Sequence, residues 1–442
     1  MSVRLGRREI VMGFIAIVVA NLFVFTLDLI DQILIFSVLM CLVFGYLEYR
    51  KEKNIMSLGN AFTIYWFFYT HSIWLNLKLG YVPNEDMDNL LTLTLLSMVA
   101  YLSFQLVYFP AKSSPVLELD RTEYDVKLLQ YVLAVFFAIG LIMQAFFFAR
   151  VGFSTFVNLT RPQRSLLLSE TINFSFDLLQ IIMILGLILY VTYKAKPFLY
   201  LAILSLVHNV VYAIIIIDRS MLLEILLPLM FMGLAFGKIR PRTVLIAGTS
   251  LFVVMSYFKV LMSNLLFGRN TPFDKFRFNS EFEGWYYIGS RILTELKNGT
   301  IQLMYGQSYA DTLINLIVPF TSTEPLSVWY VRSYFYDMYA GGAGLAFSSI
   351  AEALMNFGYM GVPLYFAFLG FICRWLKVRK NTDIQYLFFY ILVFTVLYKF
   401  FRAESYSLMK TTWWFYVLPM LLVFLVAKKA KQSARDGGSG VR

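Results

Sequence analysis

Nine arginines fall on or near the outside face of the chain's long apolar runs when its N-terminus is placed inside: Arg150, Arg161, Arg164, Arg219, Arg269, Arg277, Arg291, Arg332 and Arg402. A planar guanidinium keeps its charge in a dry setting and grips phosphate oxygens two at a time. Several of them converging beside an apolar surface would hold a pyrophosphate, whereas a single one reads equally well as a rim charge or half of an ion pair. Arg219 is the most pointed. It lies in Ile217-Asp218-Arg219-Ser220, a very short turn between two apolar runs, where a charge is costly unless paired, with Asp218 or Glu224 as alternative partners. Arg161 and Arg164 are three apart around Pro162, which places both on one helix face. Arg402 is followed two residues later by Glu404, a potential mate.

A transfer to a hydroxyl needs an acceptor for the hydroxyl's proton. Neither histidine, His71 nor His208, falls outside by the same topology, so a carboxylate is the default. Glu324, in a loop before Pro325, and Glu352, just past Gly341-Gly342-Ala343-Gly344, lead, and Glu281 follows. His71, Asp177, His208 and Glu224 sit inside apolar runs with no common spacing, which favours helix–helix hydrogen bonds over a proton relay. No P-loop, GxSxG, HExxH or dinucleotide fingerprint is present, and Cys41 and Cys373 form no metal-binding pattern. Neither a metal nor a cofactor is expected.

The elements that must position these groups are membrane spans. Of 442 residues, 59% are apolar and 15% charged, far from the balance of a soluble domain. Twelve apolar stretches are long enough to span, at about 10–27, 33–48, 59–77, 89–109, 128–148, 171–192, 197–217, 220–237, 243–262, 358–376, 385–401 and 411–427. With the N-terminus inside, twenty-three of the 38 basic residues fall in inside connections, and the short turn around Asp28 and Asp31 has none. This obeys the positive-inside rule and puts both termini in the cytoplasm. The net charge of +11 is thus mostly topology, and no nucleic-acid partner is expected. Residues 1–436 read as one integral membrane domain and 437–442 as a cloning remnant. The long outside segment, about 263–357, is rich in aromatics and contains helical patterns at Thr294–Met304, Tyr309–Ile317 and Ser348–Asn356, with a turn at Tyr305-Gly306-Gln307 and a stop at Pro319.

The stretch from Leu303 through Gly370 resembles the O-antigen polymerase (Wzy-type) or oligosaccharide repeat-unit polymerase family. The matching residues are Leu303-Met304-Tyr305-Gly306-Gln307-Ser308-Tyr309, Ile317-Val318-Pro319, and Ser348 through Gly361 with Glu352 and Asn356-Phe357-Gly358. Asp218-Arg219-Ser220 is similar to the family's short outside turn. The Arg-x10-Gly spacing of some members is absent, since the residues eleven past Arg161 and Arg332 are Ile172 and Ala343. The resemblance implies an all-α polytopic membrane protein with about twelve transmembrane helices, a large, partly helical periplasmic loop and a GT-C-like architecture, in the bacterial inner membrane. It implies a glycosyltransferase whose donor and acceptor are undecaprenyl-pyrophosphate-linked glycans, working without a metal and beside membrane lipid, with a chain-length-regulating co-polymerase as the usual companion. Arg161, Arg164, Arg219 and Arg402 would hold pyrophosphate, and Arg291 and Arg332 would grip from the loop. Glu324 or Glu352 would take the proton, Tyr305 and Glu281 would contact glycan, and the other loop aromatics would stack on sugar rings or else fill the loop's own core. The alternatives are an O-antigen ligase and a flippase of lipid-linked sugars.

Overall fold

The computed structural model describes residues 28–52, 54–80, 86–111, 124–158, 172–216, 219–244, 284–318, 324–340 and 347–438, with short stretches between 13 and 18 and between 246 and 265. Among these residues the regular structure is helical. The first seven long helices are α1 (Leu29–Glu52), α2 (Leu58–Lys78), α3 (Met87–Tyr108), α4 (Val126–Val151), α5 (Ile172–Tyr193), α6 (Lys196–Ile216) and α7 (Arg219–Ala235). The long segment between apolar runs supplies α8 (Gly284–Lys297), α9 (Gln307–Ile317), α10 (Leu326–Tyr334) and α11 (Ser349–Phe357). Then follow α12 (Gly361–Arg379), α13 (Ile384–Val396) with a 3₁₀ extension at Leu397–Phe401, and a last helix. That helix opens as α14 (Ser405–Thr411), widens to a π segment at Thr412–Val417 and ends as α15 (Leu418–Gly438).

Eight stretches among the described residues are helices long and apolar enough to cross a membrane, and Ser220–Ala235 is a shorter apolar one. The chain is a multi-pass, all-helical membrane protein. The expected span at 10–27 and that at 243–262 lie largely outside the described residues.

Charges mark two ends of the bundle. At one end Lys78 pairs with Asp31 and, at 3.7 Å, with Asp28. The other end holds a buried ionic network in which Lys377 Nζ lies 3.1 Å from Glu48 and 2.9 Å from Glu52, and Lys380 lies 3.2 Å from Glu52. Lys377 also sits 4.2 Å from the Tyr108 ring centroid, and the Tyr108 hydroxyl donates to Glu48 at 3.0 Å. These lysines belong to the set that topology assigns to inside connections, yet Lys377 is fully buried. A buried charge is tolerated only when paired and hydrogen-bonded, and here the pairing joins α1 to α12.

The two histidines cross-link helices. His71 Nδ1 meets Ser37 Oγ at 3.1 Å, and His208 Nε2 meets Gln144 Oε1 at 2.6 Å. Helices α3 and α12 pack most closely where Gly370 faces α3. A Cβ built there would stand 2.7 Å from the Phe104 carbonyl oxygen. Backbone cannot yield as a side chain can, so Gly370→Ala is expected to destabilise the protein by about 1–3 kcal/mol, read by thermal unfolding in detergent.

The long segment is docked rather than pendant. The Trp285 indole N–H donates to the Tyr69 carbonyl of α2, and Asn89 of α3 donates to Thr294 Oγ1 at 2.8 Å while accepting from Lys297 at 2.8 Å. The helix expected at Thr294–Met304 instead spans Gly284–Lys297. Asn298-Gly299 ends it, with Gly299 at φ +69° and Thr300 N–H returning to the Glu295 carbonyl at 2.9 Å. The turn at Tyr305-Gly306 is present, with φ of 48° and 90°. At Gly306 a side chain would meet both an unfavourable φ and the Phe357 ring, 2.8 Å from a Cβ.

Candidate functional site

The loop-bearing end gathers three polar clusters. The first is built on Pro228. Proline has no N–H, so the carbonyl four residues back, that of Glu224, loses its helical partner. Gln180 Nε2 of α5 takes it up at 2.9 Å. Glu224's side chain turns to the 3₁₀ extension of α13, where Lys399 Nζ lies 2.7 Å away and the Tyr398 hydroxyl donates at 3.0 Å. From the π segment, the Tyr416 hydroxyl meets Gln180 Oε1 at 2.9 Å and donates to Asp177. A π segment adds one residue per turn and re-aims side chains; here that aim joins the last helix to α5. Asp177 and Glu224, unrelated by spacing in the sequence, thus share one network with a cation.

The second cluster centres on Glu352, which is fully buried. Ser348 caps α11, and Ser348, Glu352 and Asn356 follow at four-residue steps along one face. Glu352 accepts from Ser308 Oγ of α9 at 2.9 Å and from the Ser405 N–H of α14 at 2.7 Å. Asn356 Nδ2 donates to Ser308 Oγ at 2.7 Å. One carboxylate therefore ties together α9, α11 and the start of the last helix.

Glu404 makes the third. It accepts from Ser327 Oγ at 2.7 Å, Ser407 Oγ at 3.0 Å and the Ser327 N–H at the start of α10. A carboxylate at a helix N-terminus satisfies a backbone donor and the helix dipole. Its oxygens therefore turn towards α10, a task the Arg402 pairing did not anticipate. Burial holds the Glu404 carboxyl above its ordinary 4.5, against the pull of the serine donors. The folded state then binds this proton more tightly than the unfolded chain. The stability it lends is full below 4.5 and is lost as pH rises through the raised pKa. Glu404→Gln removes that dependence, so the variant's melting temperature relative to wild type is expected to be more favourable at pH 8 than at pH 5. A constant offset from the amide cancels in the comparison.

The residues singled out by sequence fall into distinct settings. Arg161, Arg164 and Glu281 lie outside the described residues, as does the side chain of Arg219, whose backbone opens α7. The Gly341–Gly344 break is likewise outside them. Arg402 ends the 3₁₀ extension three residues from Lys399 and is half-buried. Arg291 bonds Glu295 through Nε at 2.9 Å and lies 4.4 Å from the Phe335 ring centroid, while Tyr330 donates to the same carboxylate at 2.9 Å. Arg332 and Glu324, read separately from sequence, are one pair at 2.8 Å, and Glu324 stays partly open to solvent at 27% side-chain exposure. Tyr305 is 79% exposed at its turn. Of the loop aromatics, Trp285, Tyr286 and Tyr330 are buried as filling, whereas Tyr305, Tyr336 and Tyr339 face outward. Lys399, Asp177 and Tyr416 escaped sequence reasoning as partners, although Pro228, four residues past Glu224, signalled a carbonyl in need of a donor.

The fold and these clusters define a polytopic helical membrane protein with a polar site beneath a docked helical loop. Residues 276–433 match the family model for the O-antigen polysaccharide polymerase Wzy. The matched stretch takes in the docked loop, the Glu352 and Glu404 clusters, Lys399 and Arg402, and it supports the resemblance read from Leu303–Gly370 and with it a polysaccharide polymerase role. No curated protein and no solved structure matches the chain.

Proposed function

We propose that the protein joins oligosaccharide repeat units carried on undecaprenyl pyrophosphate into a surface polysaccharide, at the outer face of a bacterial inner membrane. The observation that carries this is the family match over 276–433. An acceptor hydroxyl oxygen attacks the anomeric carbon of the donor sugar. The bond from that carbon to the pyrophosphate oxygen breaks, and the electron pair leaves with undecaprenyl pyrophosphate. Charge grows on the leaving group, so positioned cations stabilise the transition state. Arg402 and Arg219 hold the leaving group with Arg161 and Arg164, and no metal is needed.

Of the two leading carboxylates, Glu324 is the accessible one and takes the hydroxyl proton, with Arg332 paired to it at 2.8 Å. Glu352, enclosed by donors from Ser308 and Ser405, keeps the loop helices seated on the bundle. Tyr305 offers an exposed ring to the glycan. The loop-bearing end faces outward and the Lys377 end faces the cytoplasm, in accord with the basic residues of the inside connections. A co-polymerase governs chain length.

The test is purified protein with a synthetic lipid-linked repeat unit, with and without chelator. A ladder of products in both arms is expected. Single-repeat product alone would overturn the polymerase reading, and a ladder lost with chelator would overturn the metal-free mechanism.

A further inference from the structure

Helix α9 is built inside out. Its buried residues, Ser308, Thr312 and Asn315, are polar. Ser308 donates to Glu352, Thr312 Oγ1 donates to the Ser308 carbonyl at 2.8 Å, and the Asn315 carbonyl accepts from the Trp414 indole N–H of the last helix at 3.0 Å. The opposite face is apolar and exposed. Leu313 is 59% and Ile317 78% accessible, with Ile314 beside them and Val318 just past the helix end. A helix on the surface of a protein in water shows the reverse, with its apolar stripe turned to the core. Water is a poor neighbour for four branched apolar side chains.

The surroundings of α9 name the neighbour that suits this face. The helix packs on α11 and α14. These two open the stretches Ser349–Arg379 and Ser405–Lys428, each long and apolar enough to cross a membrane. The exposed face also runs on into α12. Phe357, itself exposed, stacks on Tyr309 with ring centroids 6.1 Å apart, and beyond it Met360, Leu364, Phe368 and Phe371 are exposed in turn. The last three, at steps of four and three, lie along one side of α12, the side this span gives to lipid. The nineteen residues of α12 cover about 28 Å at about 1.5 Å each, close to the hydrocarbon thickness of about 30 Å. Phe357 and α9 therefore stand at the membrane boundary rather than above it. Tyr305 and Tyr359, both exposed, mark this level as aromatic rings do at a headgroup layer. We infer that α9 lies in the membrane boundary at the loop-bearing end, with Leu313, Ile314 and Ile317 against lipid acyl chains. Its inward polar face then brings Ser308 and Glu352 to the level of the lipid headgroups. The inference goes beyond the proposed reaction and does not depend on it.

Two measurements on the full chain in phosphatidylcholine nanodiscs test this. In the first, Leu313→Cys and Ile317→Cys carry nitroxide labels, Phe368→Cys on α12 is the lipid-facing reference, and the signal of the unsubstituted protein is subtracted. Collision with oxygen, which concentrates among acyl chains, is expected to exceed collision with a water-soluble nickel chelate at both positions, as at Phe368. A ratio dominated by nickel would place the face in water and overturn the inference. Low collision with both reagents would place it against protein, from this chain, a second copy or another partner, and overturn it equally. The second measurement needs no label. Glutamine and leucine have similar helix propensities, so Leu313→Gln at a water-facing position leaves the melting temperature unchanged. Against acyl chains the amide finds no partner, and the melting temperature is expected to fall by several degrees. An unchanged melting temperature would overturn the inference.

Discussion

Lys377→Met is expected to cost the protein about 3–5 kcal/mol of stability, because it leaves two buried carboxylates without their shared cation. Glu48 and Glu52 both lie within 3.1 Å of Lys377 Nζ, and the three groups are essentially sealed from water. Lys380 still reaches Glu52, so Glu48 carries most of the loss. Adding Glu48→Gln removes the orphaned charge, and the double variant is expected to recover a large part of the deficit. Thermal unfolding in detergent and the yield of monodisperse protein give the comparison. A single variant within about 0.5 kcal/mol of wild type would mean that water or another cation replaces the lysine.

Arg402→Ala is expected to lower the rate of polymer growth by about 10²–10³, the range for losing one donor that stabilises transition-state charge. Arg402→Lys should restore only part of the rate, since an ammonium cannot supply the two parallel bonds of a guanidinium. Arg219→Ala is the parallel case at the start of α7. The measurement is the initial rate of ladder formation at saturating lipid-linked substrate, on variants whose melting temperatures match wild type. A loss below threefold in the alanine variants would remove these residues from the reacting centre.

The spans were legible because composition and length alone decide them: the expected runs at 33–48, 128–148 and 197–217 are found as Leu29–Glu52, Val126–Val151 and Lys196–Ile216. Helix ends followed local rules. Asn298-Gly299 is a stop signal that the apolar pattern beyond it obscured, which displaced one loop helix by several residues. Ser348, Glu352 and Asn356 could be placed on one face from their spacing. Their partners Ser308 and Ser405 could not, since nothing local relates three separate segments. The same holds for Glu224 and Tyr398, which are 174 positions apart, and for Glu48 and Lys377, 329 apart. Ion pairing also hid meaning in the other direction. Arg332 and Glu324 read as two functional residues until their contact made them one pair.

The ionic clamp between α1 and α12 has a consequence for biogenesis. Ribosomal synthesis delivers Glu48 and Glu52 more than three hundred residues before Lys377. During that interval the two carboxylates have no lysine from α12, and lipid offers none. The helix that carries them must therefore wait at the translocon or at the headgroup layer until the closing helices arrive. Final seating of α1 is thereby deferred until α12 has been made, and truncated products lacking α12 carry a built-in mark of incompleteness for membrane quality control.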